Sequence, residues 1–216
     1  MKYKGMIFDL DGTLVDSMGV WGDVDIKILT KYGVTPPDNL AQLLKPMSFM
    51  QSTDYFINVL GVKAEPDELL KEMYEVVIED YLYHIPAKAD AYEFVKRQHK
   101  AGVKLCVATA TNIDLAEGCL KRLGMFECLD FIVTCDQLAT GKDRPDIYHY
   151  CAKEFRLKPE EIMVFEDAVH SAKTAKDAGY CVVGIYEKLA EGDMPALMKI
   201  CDYFIRNYAE LDNVLQ

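Results

Sequence analysis

Short, continuous runs of apolar residues alternate with helical patterns along much of the chain. The runs span residues 5–10, 103–109, 130–135, 162–167 and 181–186. They lack polar alternation, which is typical of strands covered on both faces. The intervening segment 112–124 carries apolar side chains on one helical face, with Asn112 as the expected N-cap and Gly124 as the stop. The pattern predicts an α/β fold: a doubly wound parallel sheet with right-handed crossovers.

One long region interrupts this alternation. Between Val15 and about Ile85 the sequence contains no convincing strand, and its apolar residues recur at helical spacing instead. We therefore predict a helical cap domain at residues 16–85, inserted into a core domain formed by residues 1–15 and 86–216. Pro86 is expected to mark the return of the chain to the core.

Polar residues with catalytic potential stand where the predicted strands end. They are Asp9 and Asp11, Thr109, Lys142 in the loop before the fourth strand, and Glu166 with Asp167. Chemistry in open α/β sheets occurs beyond the carboxyl ends of the strands, so these residues are expected to converge. Converging carboxylates favour a hard divalent cation. Mg²⁺ fits best, because few protein ligands are present and substrate oxygens can complete its shell.

The composition and net charge of the chain disfavour some classes of binding partner. The chain has 216 residues, half of them hydrophobic, and a formal net charge of −11. This acidic balance argues against electrostatic binding to nucleic acid or to an anionic membrane. We find no apolar stretch long enough for a signal peptide or a membrane span, and the seven scattered cysteines suggest reduced thiols, so a cytoplasmic location is expected.

Four motifs follow one another at these strand ends. They are DLDGT at residues 9–13, Thr109 closing VKLCVAT, Lys142 in GKDRPDIY, and the acidic pair 166–167 in VFEDAVHSAKTAKDAG. Together they resemble the haloacid dehalogenase superfamily of phosphohydrolases over essentially the whole chain, most closely its β-phosphoglucomutase and phosphoglycolate phosphatase branch. The resemblance implies a Rossmann-like core with a helical cap.

The resemblance also implies roles for the motif residues. Asp9 would be the nucleophile that forms an aspartyl-phosphate, and Asp11 the general acid and base. Thr109, the amide of Ala110 and Lys142 would hold the phosphate oxygens. The Mg²⁺ ligands would be Asp9, the backbone carbonyl of Asp11, Asp167 and, directly or through water, Glu166.

The predicted activity is hydrolysis of a small phosphorylated metabolite by a Mg²⁺-dependent phosphatase. Sugar phosphomutases of this branch carry a histidine where this chain has Trp21, and Phe49 stands about where a basic residue would grip a second phosphate. Trp21 and Phe49 are therefore either substrate-contacting residues or cap core. A mutase is the alternative activity, and a non-catalytic phosphoacceptor module is disfavoured by the order of the motifs. His170 is expected to be an exposed helix residue, and the sequence leaves the oligomeric state open.

Overall fold

The computed structural model describes residues 3–44 and 47–213. Within these residues, parallel strands form one six-stranded sheet in the order β3-β2-β1-β4-β5-β6. The strands are β1 Gly5–Phe8, β2 Lys104–Thr109, β3 Phe131–Thr134, β4 Ile162–Glu166, β5 Cys181–Ile185 and β6 Tyr203–Ile205. The predicted α/β fold with a parallel sheet is confirmed, and β6 is an addition that the apolar pattern did not predict.

Helices cover both faces of the sheet, which explains the continuous apolar strands. They are α1 Met18–Lys31, α2 Leu40–Leu44, α3 Phe49–Asn58, α4 Pro66–Glu79, α5 Ala91–Lys100, α6 Ile113–Arg122, α7 Asp146–Phe155, α8 Val169–Asp177 and α9 Met194–Ile200. Phe8 packs toward α5 and α6, whereas its neighbour Ile7 packs toward α7, α8 and α9 on the other face. Asn112 caps α6 as predicted, since its side chain accepts a hydrogen bond from the Asp114 amide at 2.8 Å.

The described residues between β1 and α5 contain helices α1–α4 and a π-helical turn at Asp80–His84, and no strand. We call α1–α4 and this turn the cap helices. The chain enters and leaves them side by side: the Asp16 amide donates to the Pro86 carbonyl, and the Lys88 amide to the Leu14 carbonyl, each at 2.9 Å. The predicted return at Pro86 matches this pairing, while the exact domain boundaries stay a prediction.

All seven cysteines are free thiols: five are buried, and Cys128 and Cys201 are half-buried. Among the described residues, no helix combines the length and apolar character needed to cross a bilayer.

Candidate active site

The site lies where the strand order reverses, beside the central strand β1. Phe8 ends β1 and pairs with Val107 of β2 and Phe165 of β4. The next residue, Asp9, therefore lies alongside Glu166, and its amide donates to the Phe165 carbonyl at 3.0 Å. Thr109 ends β2 on the other side of β1. The parallel register thus brings the predicted site residues to one edge, as the sequence indicated.

Three buried carboxylates form the centre of the site. Oxygens of Asp9, Glu166 and Asp167 lie within 4.8 Å of one another. We call these three residues the carboxylate cluster. Lys142 is also buried; its Nζ donates to Oδ1 of Asp9 and, at 2.9 Å, to Oε1 of Glu166. Lys142 is thereby held against the nucleophile candidate although 133 residues separate them in sequence.

Burial and mutual repulsion make the cluster electrostatically costly. Burial raises the pKa of Asp167 to about 7, with Glu166 adding to the shift. The pKa of Asp9 lies well above its usual range, because burial and the neighbouring carboxylates outweigh the attraction of Lys142. Burial lowers the pKa of Lys142, but Asp9 and Glu166 more than offset this and keep it charged. One ammonium does not neutralise three carboxylates, so the net negative charge of the site favours binding of a divalent cation. The donors are all oxygen atoms, which suits Mg²⁺.

Gly12 allows the loop of residues 9–13, which we call the catalytic loop, to approach the carboxylate cluster. Its φ is +74°, and a Cβ at this position would lie 2.5 Å from Oδ2 of Asp167 and 3.2 Å from Cγ of Met18. A side chain here would therefore collide with the carboxylate of Asp167. The glycine lets residues 9–13 pass between Asp167 and the first cap helix.

Asp11 points away from the cluster toward a separate set of donors. Its Oδ1 accepts hydrogen bonds from Ser17 Oγ at 2.6 Å, from Trp21 Nε1 at 3.2 Å and from the Tyr81 hydroxyl. Its Oδ2 accepts from the Thr111 hydroxyl. Ser17, Trp21 and Tyr81 belong to the chain segment that enters and forms the cap helices, so the cap directly fixes the orientation of this carboxylate.

The remaining predicted site residues occupy varied positions. Thr109 is buried, and its hydroxyl accepts from the Thr111 amide at 3.0 Å. Ala110 is partly buried in the loop that follows β2. His170 is partly buried rather than exposed, and its Nε2 pairs with Ser171 Oγ at 3.0 Å. The prediction for Phe49 concerns a side chain outside the part of the chain that the structure describes.

Tyr148 and Tyr81 are site residues that the sequence reasoning missed. The Tyr148 hydroxyl donates to Oε1 of Glu166 at 2.8 Å from a fully buried position on α7. Tyr81 follows apolar residues at helical spacing, and a tyrosine in such a pattern is normally a core residue. Arg122 of α6 donates to the carbonyls of Tyr81 and Ile85, which ties the π-helical turn to the core. The sequence carried no signal for this pairing.

Comparison with known proteins is consistent with this geometry. A family model described as haloacid dehalogenase-like hydrolase matches residues 3–179. The chain is 27% identical to a phosphorylated carbohydrates phosphatase of Thermotoga maritima, over 99% of this chain and 98% of that protein. It is 30% identical to a validoxylamine A 7'-phosphate phosphatase of Streptomyces hygroscopicus, over 89% and 92%.

A solved structure extends the comparison to the fold. The β-phosphoglucomutase of Clostridium difficile has a TM-score of 0.79 at 18% identity, and the match covers 99% of this chain and 96% of that one. The family match and the phosphatase relatives confirm the prediction of a phosphoric monoester hydrolase. Since the family model spans most of the chain and all four motifs, the chain belongs to the haloacid dehalogenase-like hydrolases.

Proposed function

We propose that the protein is a Mg²⁺-dependent phosphatase that hydrolyses a small sugar or polyol phosphate through an aspartyl-phosphate on Asp9. The observation that carries this proposal is the contrast between two aspartates two residues apart. Asp9 is bound to Lys142 beside the carboxylate cluster, whereas Asp11 is bound to neutral donors of the cap and of Thr111. Such different environments suit a nucleophile and a proton carrier.

In the first half of the reaction, a carboxylate oxygen of Asp9 attacks phosphorus as the bond to the leaving oxygen breaks. Asp11 donates its proton to that oxygen, so the alcohol leaves uncharged. Lys142, already beside Asp9, stabilises the charge on the oxygens of the phosphoryl group during transfer. The hydroxyl of Thr109 and the backbone amide of Ala110 are proposed to donate hydrogen bonds to the other phosphoryl oxygens.

In the second half, water attacks the phosphorus of the aspartyl-phosphate. Asp11 takes a proton from this water, the acyl-phosphate bond breaks, and inorganic phosphate and the Asp9 carboxylate are restored. Three side-chain donors hold Oδ1 of Asp11. They fix the orientation of the carboxylate that accepts this proton.

Asp9, Asp167 and Glu166 are the side chains that would hold Mg²⁺, together with the backbone carbonyl of Asp11. When bound, the ion would screen the anionic nucleophile from the anionic phosphate. The raised pKa values of Asp9 and Asp167 support this assignment, because a cation offsets the cost of keeping both groups ionised.

The relatives' names support the substrate class. Phosphatases of phosphorylated carbohydrates, of fructose 1-phosphate and of hexitol phosphates are among the proteins that this chain resembles. The partner is accordingly proposed to be a small phosphorylated metabolite. Trp21 supports a phosphatase over a mutase, because its indole N–H occupies Oδ1 of Asp11 at the position of the mutases' histidine.

Phosphate release tests the proposal. Purified protein with Mg²⁺ is expected to release phosphate from sugar or polyol phosphates and from p-nitrophenyl phosphate, and Asp9→Asn is expected to release none while keeping its circular dichroism spectrum. A wild-type protein that releases no phosphate from any ester would overturn the proposal. Formation of glucose 6-phosphate from β-glucose 1-phosphate with a bisphosphate primer would replace it with the mutase activity.

A further inference from the structure

Asp25 of α1 is a partly buried carboxylate with no internal partner among the described residues. Neither a hydrogen-bond donor nor a cation of residues 3–44 and 47–213 lies within bonding distance of it. Burial raises its pKa to about 7, and no charged neighbour in that part of the chain opposes the shift. Carboxylates removed from water are normally paired, so this group costs stability without an internal contact that explains it.

The position of Asp25 on α1 directs it toward the active site. Met18, Trp21 and Asp25 are spaced i, i+3 and i+7, so they share one helical face. Met18 packs against the Gly12 loop, and Trp21 donates to Asp11. Asp25 follows Trp21 by one turn, about 6 Å further along the helix axis. A substrate whose phosphate lies at Asp9 would extend its alcohol portion along this face.

The other flank of α1 borders a groove within the cap. Val20, Asp23, Val24 and Lys27 line this groove together with Val76 of α4 and Asp80 of the π-helical turn. Val24 lies roughly 100° around the helix from Asp25. Asp23 and Lys27 line this groove with side chains that remain largely exposed to solvent. Asp25 does not line this groove and is less exposed than Asp23 or Lys27; it lies on the inner face of α1, between Trp21 and the buried Ile28 and Leu29.

A carboxylate in this position has a defined chemical preference. It accepts hydrogen bonds and offers none when ionised, so it suits hydroxyl donors and repels a second phosphate. We propose that Asp25 is a specificity-determining residue that accepts hydrogen bonds from the hydroxyl groups of a polyol or sugar phosphate. This inference rests on the proposed phosphatase function and deepens it, because it assigns the recognition of the alcohol portion to a residue of the cap.

Two substrates separate recognition from chemistry. Sorbitol 6-phosphate carries hydroxyl groups, whereas p-nitrophenyl phosphate has none in its leaving group. Asp25→Ala is expected to lower kcat/KM for sorbitol 6-phosphate at least tenfold, mainly through KM, and to change kcat/KM for p-nitrophenyl phosphate less than twofold. Asp25→Asn retains one acceptor oxygen and is expected to lose less. Asp23→Ala, two residues earlier on the solvent side, is the matched control and should change neither substrate.

These measurements distinguish a failure of the Asp25 inference from a failure of the proposed phosphatase function. If the wild type hydrolyses both esters and Asp25→Ala changes neither, or lowers both equally, the inference is wrong while the phosphatase function stands. If the wild type hydrolyses p-nitrophenyl phosphate but not sorbitol 6-phosphate, the inference is also wrong while the phosphatase function stands. If the wild type releases phosphate from no ester, the proposed function fails and this inference fails with it.

Discussion

The hydroxyl of Tyr81 donates a hydrogen bond to Oδ1 of Asp11 and so joins the end of the cap helices to the catalytic loop. Tyr81 lies in the π-helical turn Asp80–His84, a conformation that often occurs at functional sites. Burial and the neighbouring Asp11 raise the pKa of Tyr81 well above its usual range, so the phenol stays protonated and remains a donor.

Tyr81→Phe removes this donor and keeps the ring that packs against Trp21 with centroids 5.8 Å apart. We expect kcat to fall about tenfold with little change in KM. A hydrogen bond to a charged group contributes about 1.5–3 kcal/mol, and its loss leaves the Asp11 carboxylate less well oriented. The pH profile of kcat should shift as well, since Asp11 is the residue that we propose as the proton carrier. Tyr83→Phe, an exposed position two residues on, is the control. An unchanged rate and pH profile would remove Tyr81 from the mechanism.

Tyr148→Phe tests the support of the carboxylate cluster. Oε1 of Glu166 accepts from both Tyr148 and Lys142, so the loss of one donor leaves Glu166 less fixed. Groups that orient metal ligands typically contribute about 10- to 100-fold to metal affinity. The Mg²⁺ concentration for half-maximal activity should therefore rise at least fivefold, with activity at saturating Mg²⁺ largely retained. Tyr150→Phe on the same helix should leave this concentration unchanged, and an equal effect of both variants would contradict the assignment.

Asp25→Asn is expected to stabilise the protein at high pH. The pKa of Asp25 is about 7 in the folded protein and near 3.8 when unfolded, so the folded state binds the extra proton between these values. Wild-type stability relative to the variant is consequently lost as pH rises from about 4 to 7. We expect the variant to be more stable by about 4 kcal/mol at pH 8 and nearly equal in stability to the wild type near pH 4. Urea unfolding at the two pH values measures this, and a difference that does not depend on pH would contradict it.

The apolar pattern predicted the sheet well because strands covered on both faces leave a strong signal. The first predicted strand, 5–10, is shorter in the structure, since the chain turns into the catalytic loop after Phe8. The strand Tyr203–Ile205 was missed because a three-residue edge strand is too short to give a continuous apolar run.

The motif residues could be predicted because register and strand order alone bring Asp9, Thr109 and Glu166 together. Tyr81 and Tyr148 could not, because a buried tyrosine at helical spacing has the same sequence pattern as an apolar core residue. The role of each tyrosine depends on the position of its hydroxyl group in the folded protein. That position is set by the packing of α7 for Tyr148 and of the π-helical turn for Tyr81. The sequence did not predict the burial of Asp25 either, since an acidic residue in an amphipathic helix is normally solvated.

The central claim is that Asp9 becomes covalently phosphorylated. Mass spectrometry of acid-quenched, digested protein measures this most directly, after reaction with a phosphomonoester and Mg²⁺. We predict that the peptide containing Asp9 gains the mass of one phosphoryl group in the wild type and none in Asp9→Asn. Phosphorylation at another residue, or phosphate release without any phosphorylated peptide, would contradict the claim.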